Sequence, residues 1–226
     1  MIAALVGVTL LGAICGLDVV SFPQAMVSRP IVAATAGAAL AGRPLDGLVL
    51  GAILELIALD TLPFGASRYP EWGSAAAVGG ALVGQIPHGT RGATAACLLA
   101  ALVTAAFSQW SMTALRRANA ARTRAILPQL EAGSSSALVG LQLRGLTADF
   151  LRAGALSAVA FVVLHPLVLG ITATWNVTGR MSHAVVVGVA GMLAVGAAWN
   201  AFHTTRGAGW MFALGLAAGL AMVVIR

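Results

Sequence analysis

The sequence contains no lysine, two cysteines and one tyrosine, and only 9% of its 226 residues are charged. Each shortage excludes a class of protein. An average soluble domain carries roughly 25% charged residues, and a chain this poor in them cannot cover a globular surface with solvated groups. Cys15 and Cys97 lie in apolar runs without pairing spacing or a neighbouring histidine, so neither a disulfide framework nor a zinc site is expected. Both read as small packing residues. There is no nucleotide-binding glycine motif, zinc-spaced histidine pair or aspartyl dyad. His88, His165, His183 and His203 are scattered, and Ser67 lacks an identifiable base. No catalytic residue, metal ligand or cofactor is assigned.

What the chain has in abundance is hydrocarbon: 59% hydrophobic residues and a mean hydropathy of +0.93. A spanning helix needs about 20 mostly apolar residues. Apolar helical segments are expected at about 1–22, 30–42, 45–62, 73–88, 91–114, 150–174, 181–203 and 208–225. The expected fold is all-α, a polytopic helical membrane protein forming one integral domain over 1–226. Segments 30–42 and 73–88 are too short to span, so broken or re-entrant helices are expected there, as in transporters that expose backbone groups in mid-membrane. The first segment lacks a basic start and runs on into Asp18, so it reads as a retained helix and not a signal peptide. Glycines such as Gly47, Gly51, Gly188 and Gly191 are expected to let helices approach closely.

The net charge is +6, all of the basic residues being arginine. The densest group, Arg116, Arg117, Arg122 and Arg124, falls between apolar segments without interleaved aromatics, which points to a cytoplasmic loop and away from nucleic acid. The polar stretch 115–136, with Pro128, Glu131 and Gly133, separates an N-terminal helix group (1–114) from a C-terminal one (137–226). Residues 137–149, carrying Gln142, Arg144 and Asp149, read as an amphipathic segment lying along the cytoplasmic surface.

Three acidic residues fall in or at the ends of apolar segments: Asp18, Glu55 and Asp60. A central charge such as Glu55 costs about 2.5–3.5 kcal/mol to insert, so it needs a cationic partner, a water-filled cavity or a proton. Arg29 and Arg152 are the candidate cations. Asp60 follows five positions later, roughly 140° around a helix, so the two carboxylates do not share a face. Pro63 must end that helix. The run 64–73 gathers Arg68, Tyr69, Glu71 and Trp72, a set suited either to a hydroxyl-rich ligand or to an interfacial aromatic belt.

Order and spacing in the first third carry a resemblance. Ser21-Phe-Pro-Gln-Ala-Met-Val-Ser-Arg29-Pro30 precedes a small-residue helix, then Leu48-Val-Leu-Gly-Ala-Ile-Leu-Glu55-Leu-Ile-Ala-Leu59 and Phe64-Gly65-Ala66 follow. This resembles the IIC membrane subunits of mannose/sorbose-type phosphotransferase systems, and Phe150-Leu-Arg152-Ala extends a weaker likeness through the later chain. The resemblance implies a sugar translocator of the bacterial inner membrane, oligomeric, working with a IID membrane subunit while soluble IIA and IIB proteins carry the phosphate. In that family the sugar is bound in mid-membrane, moved by an elevator-like shift and phosphorylated by IIB at the cytoplasmic face.

Carried onto this chain, the resemblance makes Glu55 the site glutamate and 18–30 the polar stretch beside it. Together with the residues read above, the expected substrate-binding set is Asp18, Gln24, Glu55, Asp60, Ser67 and Arg68. The chain also departs from the family pattern. Ser28 stands where a histidine is usual, Gln24 is displaced, and Pro63 replaces an asparagine. These departures leave a second reading open: a regulatory or phosphorylation-uncoupled membrane subunit with the same fold.

Overall fold

The computed structural model describes residues 2–59, 69–175, 178–202 and 204–225. Among them there is no strand, and the elements run α1 (Ile2–Val20), α2 (Pro30–Ala39), α3 (Pro44–Leu59), α4 (Trp72–Gln85), α5 (Ala93–Ala125), α6 (Leu127–Glu131), α7 (Ser135–Thr174), α8 (Gly179–Phe202) and α9 (Ala208–Ile225). Prolines start α2 and α3, where the missing N–H costs nothing. Gly42 and Gly133 take the left-handed φ values (73° and 75°) that turn the chain out of α2 and α6, and Ser134 then caps α7 by accepting from the Ala137 N–H at 3.3 Å.

Helices α1, α5, α7 and α8 are long and apolar enough to cross a membrane. The protein is a polytopic all-α membrane protein. At 1.5 Å per residue α2 measures about 15 Å and α4 about 21 Å, short of a hydrocarbon core about 30 Å thick. Every residue of α4 from Gly73 to Gly84 is buried, packed among α1, α2, α3, α5 and α7. A short helix surrounded by protein can leave its ends inside the membrane, because neighbouring chain satisfies the freed backbone groups.

Small residues make this packing possible. A Cβ on Gly80 would lie 2.0 Å from the Ala34 carbonyl oxygen, and one on Gly37 2.4 Å from that of Ala77, so α2 and α4 touch backbone to backbone. Gly47 and Gly51 bring α3 equally close to α2. A Cβ on Gly188 or Gly191, read from sequence in the same way, would meet no atom of a neighbouring helix within 4 Å among the described residues. Helices α8 and α9 lie at the edge with mostly exposed side chains, and Trp199 meets Phe212 edge-on at 5.5 Å.

The region expected to be a polar break is largely helix. Helix α5 continues eleven residues beyond 114, because Arg, Ala, Asn and Thr interrupt hydrophobicity without interrupting helix and no Gly or Pro intervenes. The turn is confined to 126 and 132–134 around the short α6. The expected surface segment 137–149 is instead the first third of the 40-residue α7. Helix α7 packs along α1, so the two expected helix groups interlock. Cys15 and Cys97 are buried, unpaired packing residues as expected.

Candidate functional site

Helix α1 ends at Val20 and helix resumes at Pro30; the loop between them is folded around Asp18. Its Oδ1 accepts the Ala25 N–H at 2.6 Å, and its Oδ2 accepts both the N–H and the hydroxyl of Ser28 at 2.8 Å. Gln24 and Met26 sit at φ 59° and 62°, a left-handed conformation that costs non-glycine residues of order 1–3 kcal/mol. The three bonds to the Asp18 carboxylate, itself 2% exposed, hold that shape.

The loop forms one wall of a cavity of about 380 Å³, closed by Ala58 at the end of α3 and by the chain entering α4. Gln24, Met26, Ser28 and Arg29 line it from the loop after α1, and Tyr69 and Trp72 from the chain entering α4. The cavity therefore stands where α1 ends and α2 and α4 begin. It offers a carboxamide that both donates and accepts, a hydroxyl, a guanidinium and aromatic surface.

Glu55 stands one step behind this wall. Its carboxylate pairs with Arg29 and also accepts the Ile31 N–H at 3.2 Å. The glutamate thus meets the positive end of α2 as well as a guanidinium, and its insertion cost is offset by both. Arg29, 42% exposed, lines the cavity, whereas Glu55, 16% exposed, does not. Glu55 is thus joined to the cavity wall by its pair with Arg29.

A second charged cluster lies on the far side of the Tyr69–Gly73 chain. Glu71, 0% exposed, accepts from Arg152 Nη2 at 2.5 Å and from the Ser108 hydroxyl at 3.1 Å, and Ser74 also donates to it. Arg152 binds Asp149 through Nη2 at 2.8 Å and Nε at 3.1 Å, and donates to Ser111 Oγ at 3.0 Å. The cluster ties α4, α5 and α7 together. Gly16 of α1 makes room for it, since a Cβ there would come within 2.8 Å of Glu71. Alongside, Arg116 donates to the Tyr69 hydroxyl at 2.6 Å and lies 4.8 Å from its ring centre.

Of the residues expected from sequence, Asp18 and Gln24 meet at the cavity, and Glu55 stands behind it. Asp60, Ser67 and Arg68 lie outside the described residues. Arg29 settles the question of Glu55's partner, and Arg152 belongs to Glu71 and Asp149. Glu71, expected in a polar-aromatic loop or interfacial belt, is the most deeply buried acid among the described residues. Its only sequence signal was an acid beside a helix made of small residues, with its cation 81 residues away.

Among the described residues no group of histidine, cysteine or carboxylate side chains is arranged to hold a metal ion. Among the described residues, the cavity side chains include no thiol or histidine, and the carboxylate they include, Asp18, is engaged by the loop. This arrangement is suited to holding a polar ligand by hydrogen bonds and ring contacts. No family model matches the chain, and a search of curated proteins finds no match.

Proposed function

We propose that this chain is the sugar-translocating IIC-type membrane subunit of a phosphoenolpyruvate-dependent phosphotransferase system of the mannose/sorbose type, in a bacterial inner membrane. Sugar would pass through it to be phosphorylated by a soluble IIB protein, with a IID subunit beside it in the membrane and IIA supplying phosphate to IIB. The observation that carries the reading is the cavity at the broken helices. It brings Gln24, Ser28 and Arg29 together with Tyr69 and Trp72 in one cavity lining. Sugar hydroxyls donate and accept at once, and their C–H faces pack on rings, so this mixture suits a hexose. The Arg-Pro and glutamate-helix resemblance supports the same reading independently of the cavity.

In this scheme Glu55 is a positioning residue. It holds the Arg29 guanidinium at the cavity wall, and Asp18 holds the loop that carries Gln24 and Ser28. The test is binding of a panel of hexoses and amino sugars to the chain purified with its IID partner. Glu55→Gln removes the charge that orients Arg29, and loss of a hydrogen bond to a charged partner costs about 1–3 kcal/mol, a five- to hundredfold weakening. Unchanged affinity in a folded Glu55→Gln complex removes the Arg29–Glu55 pair from the site. A folded wild-type complex that binds no sugar favours the regulatory or uncoupled subunit.

A further inference from the structure

Between α5 and α7 runs a groove of about 430 Å³, separate from the candidate sugar cavity. Val103, Phe107 and Trp110 line it from α5, and Leu156, Val163 and Leu167 are among its α7 residues. Its two hydroxyl residues have internal partners: Thr104 donates to the Ala100 carbonyl at 2.8 Å, and Ser111 donates to that of Ser108 at 2.9 Å while accepting from Arg152. The groove thus presents a hydrocarbon wall. From Leu156 to Leu167 it extends about 16 Å at 1.5 Å per residue, close to the depth of one leaflet of a hydrocarbon core about 30 Å thick.

Trp110 closes one end and belongs also to a second hollow, of about 520 Å³, lined by Gln109, Thr113 and Arg117. Arg117 is exposed, and its Cα stands about 10 Å beyond that of Trp110 along the helix. Long helical side chains lean toward the helix N-terminus, which brings this guanidinium back toward the level of the Trp110 ring, where aromatic residues mark the interface. Apolar wall, indole and guanidinium therefore follow one another as acyl chain, glycerol region and phosphate do in a lipid.

We propose that this groove seats an anionic phospholipid of the cytoplasmic leaflet, one acyl chain lying between α5 and α7 and its phosphate on Arg117. The test is native mass spectrometry of the detergent-purified chain titrated with phosphatidylglycerol and, separately, phosphatidylcholine of the same acyl chains. One basic residue near a membrane surface favours an anionic headgroup by about 1 kcal/mol, so phosphatidylglycerol should bind about fivefold more tightly. Arg117→Gln should abolish that preference and leave phosphatidylcholine bound, while Arg124→Gln, two turns further on, should leave it intact. Ala160→Phe, which fills the groove, should weaken both lipids alike. Equal affinity of the wild-type chain for the two lipids, a preference that survives Arg117→Gln, or full binding by Ala160→Phe would overturn the proposal. So would a wild-type chain that takes neither lipid and dimerises through this face.

Discussion

Replacing Arg152 by methionine keeps most of the side-chain volume and removes the guanidinium that binds Glu71 and Asp149. Glu71 is 0% exposed and Arg152 11%, so water cannot take over the lost interaction. Breaking a buried ion pair by removing one partner costs about 3–5 kcal/mol, because the surviving charge is left uncompensated. For a chain of this length each kcal/mol moves the melting temperature by about 2–4 °C, so Arg152→Met should melt about 6–20 °C lower. The assay is thermal unfolding of the purified protein in a mild detergent, followed by intrinsic tryptophan fluorescence. The double variant Arg152→Met with Glu71→Gln discriminates charge from packing. A neutral carboxamide can still bond to Ser74 and Ser108, so the double variant should recover part of the loss, with a coupling of about 0.5–3 kcal/mol. A single variant that melts with the wild type, or a double variant no more stable than the single, would refute the reasoning.

Asp18→Asn keeps the shape but weakens the three bonds that fold the 21–29 loop, and losing charge-assisted bonds at a buried site costs about 1–3 kcal/mol. Amide hydrogen exchange at Ala25 and Ser28 should accelerate in this variant while exchange in α4 stays slow; unchanged protection would remove Asp18 from its role. Burial pushes the Tyr69 phenol above its ordinary value, with the Arg116 guanidinium pulling the other way. A raised folded pKa gives stability that is present below the unfolded value of about 10 and is lost as pH climbs through the folded one. As Tyr69 is the only tyrosine, tyrosinate absorbance should rise at higher pH in the folded protein than in denaturant. Coincident titration curves would contradict the burial argument.

The spanning segments were legible because lipid leaves hydropathy as a direct record of its depth, and the short α2 and α4 were legible by length. The stretch 115–149 was not. Arg116 to Arg124 end the hydrophobic run, but alanine and arginine are strong helix formers, so composition reads as a loop where the backbone stays helical. At the site, Glu55 announced itself as a charge in hydrocarbon, while its choice of Arg29 over Arg152 depended on how α2 sits against α3. Asp18 was found as an acid, but its work of folding the loop was hidden, since Gln24 and Met26 carry no signature of a left-handed backbone.

The separation between Glu71 and Arg152 has a meaning in time as well as in space. A ribosome adds about 5–20 residues per second, and the arginine is made 81 residues after the glutamate. For about 4–16 s the nascent chain holds the acid of α4 without its cation. Helix α4 cannot settle among α1, α2 and α3 as a charged element during that interval without the cost of an uncompensated buried charge. The order of assembly is therefore written into the pairing: the buried surroundings of Glu71 are complete only once α7 has arrived.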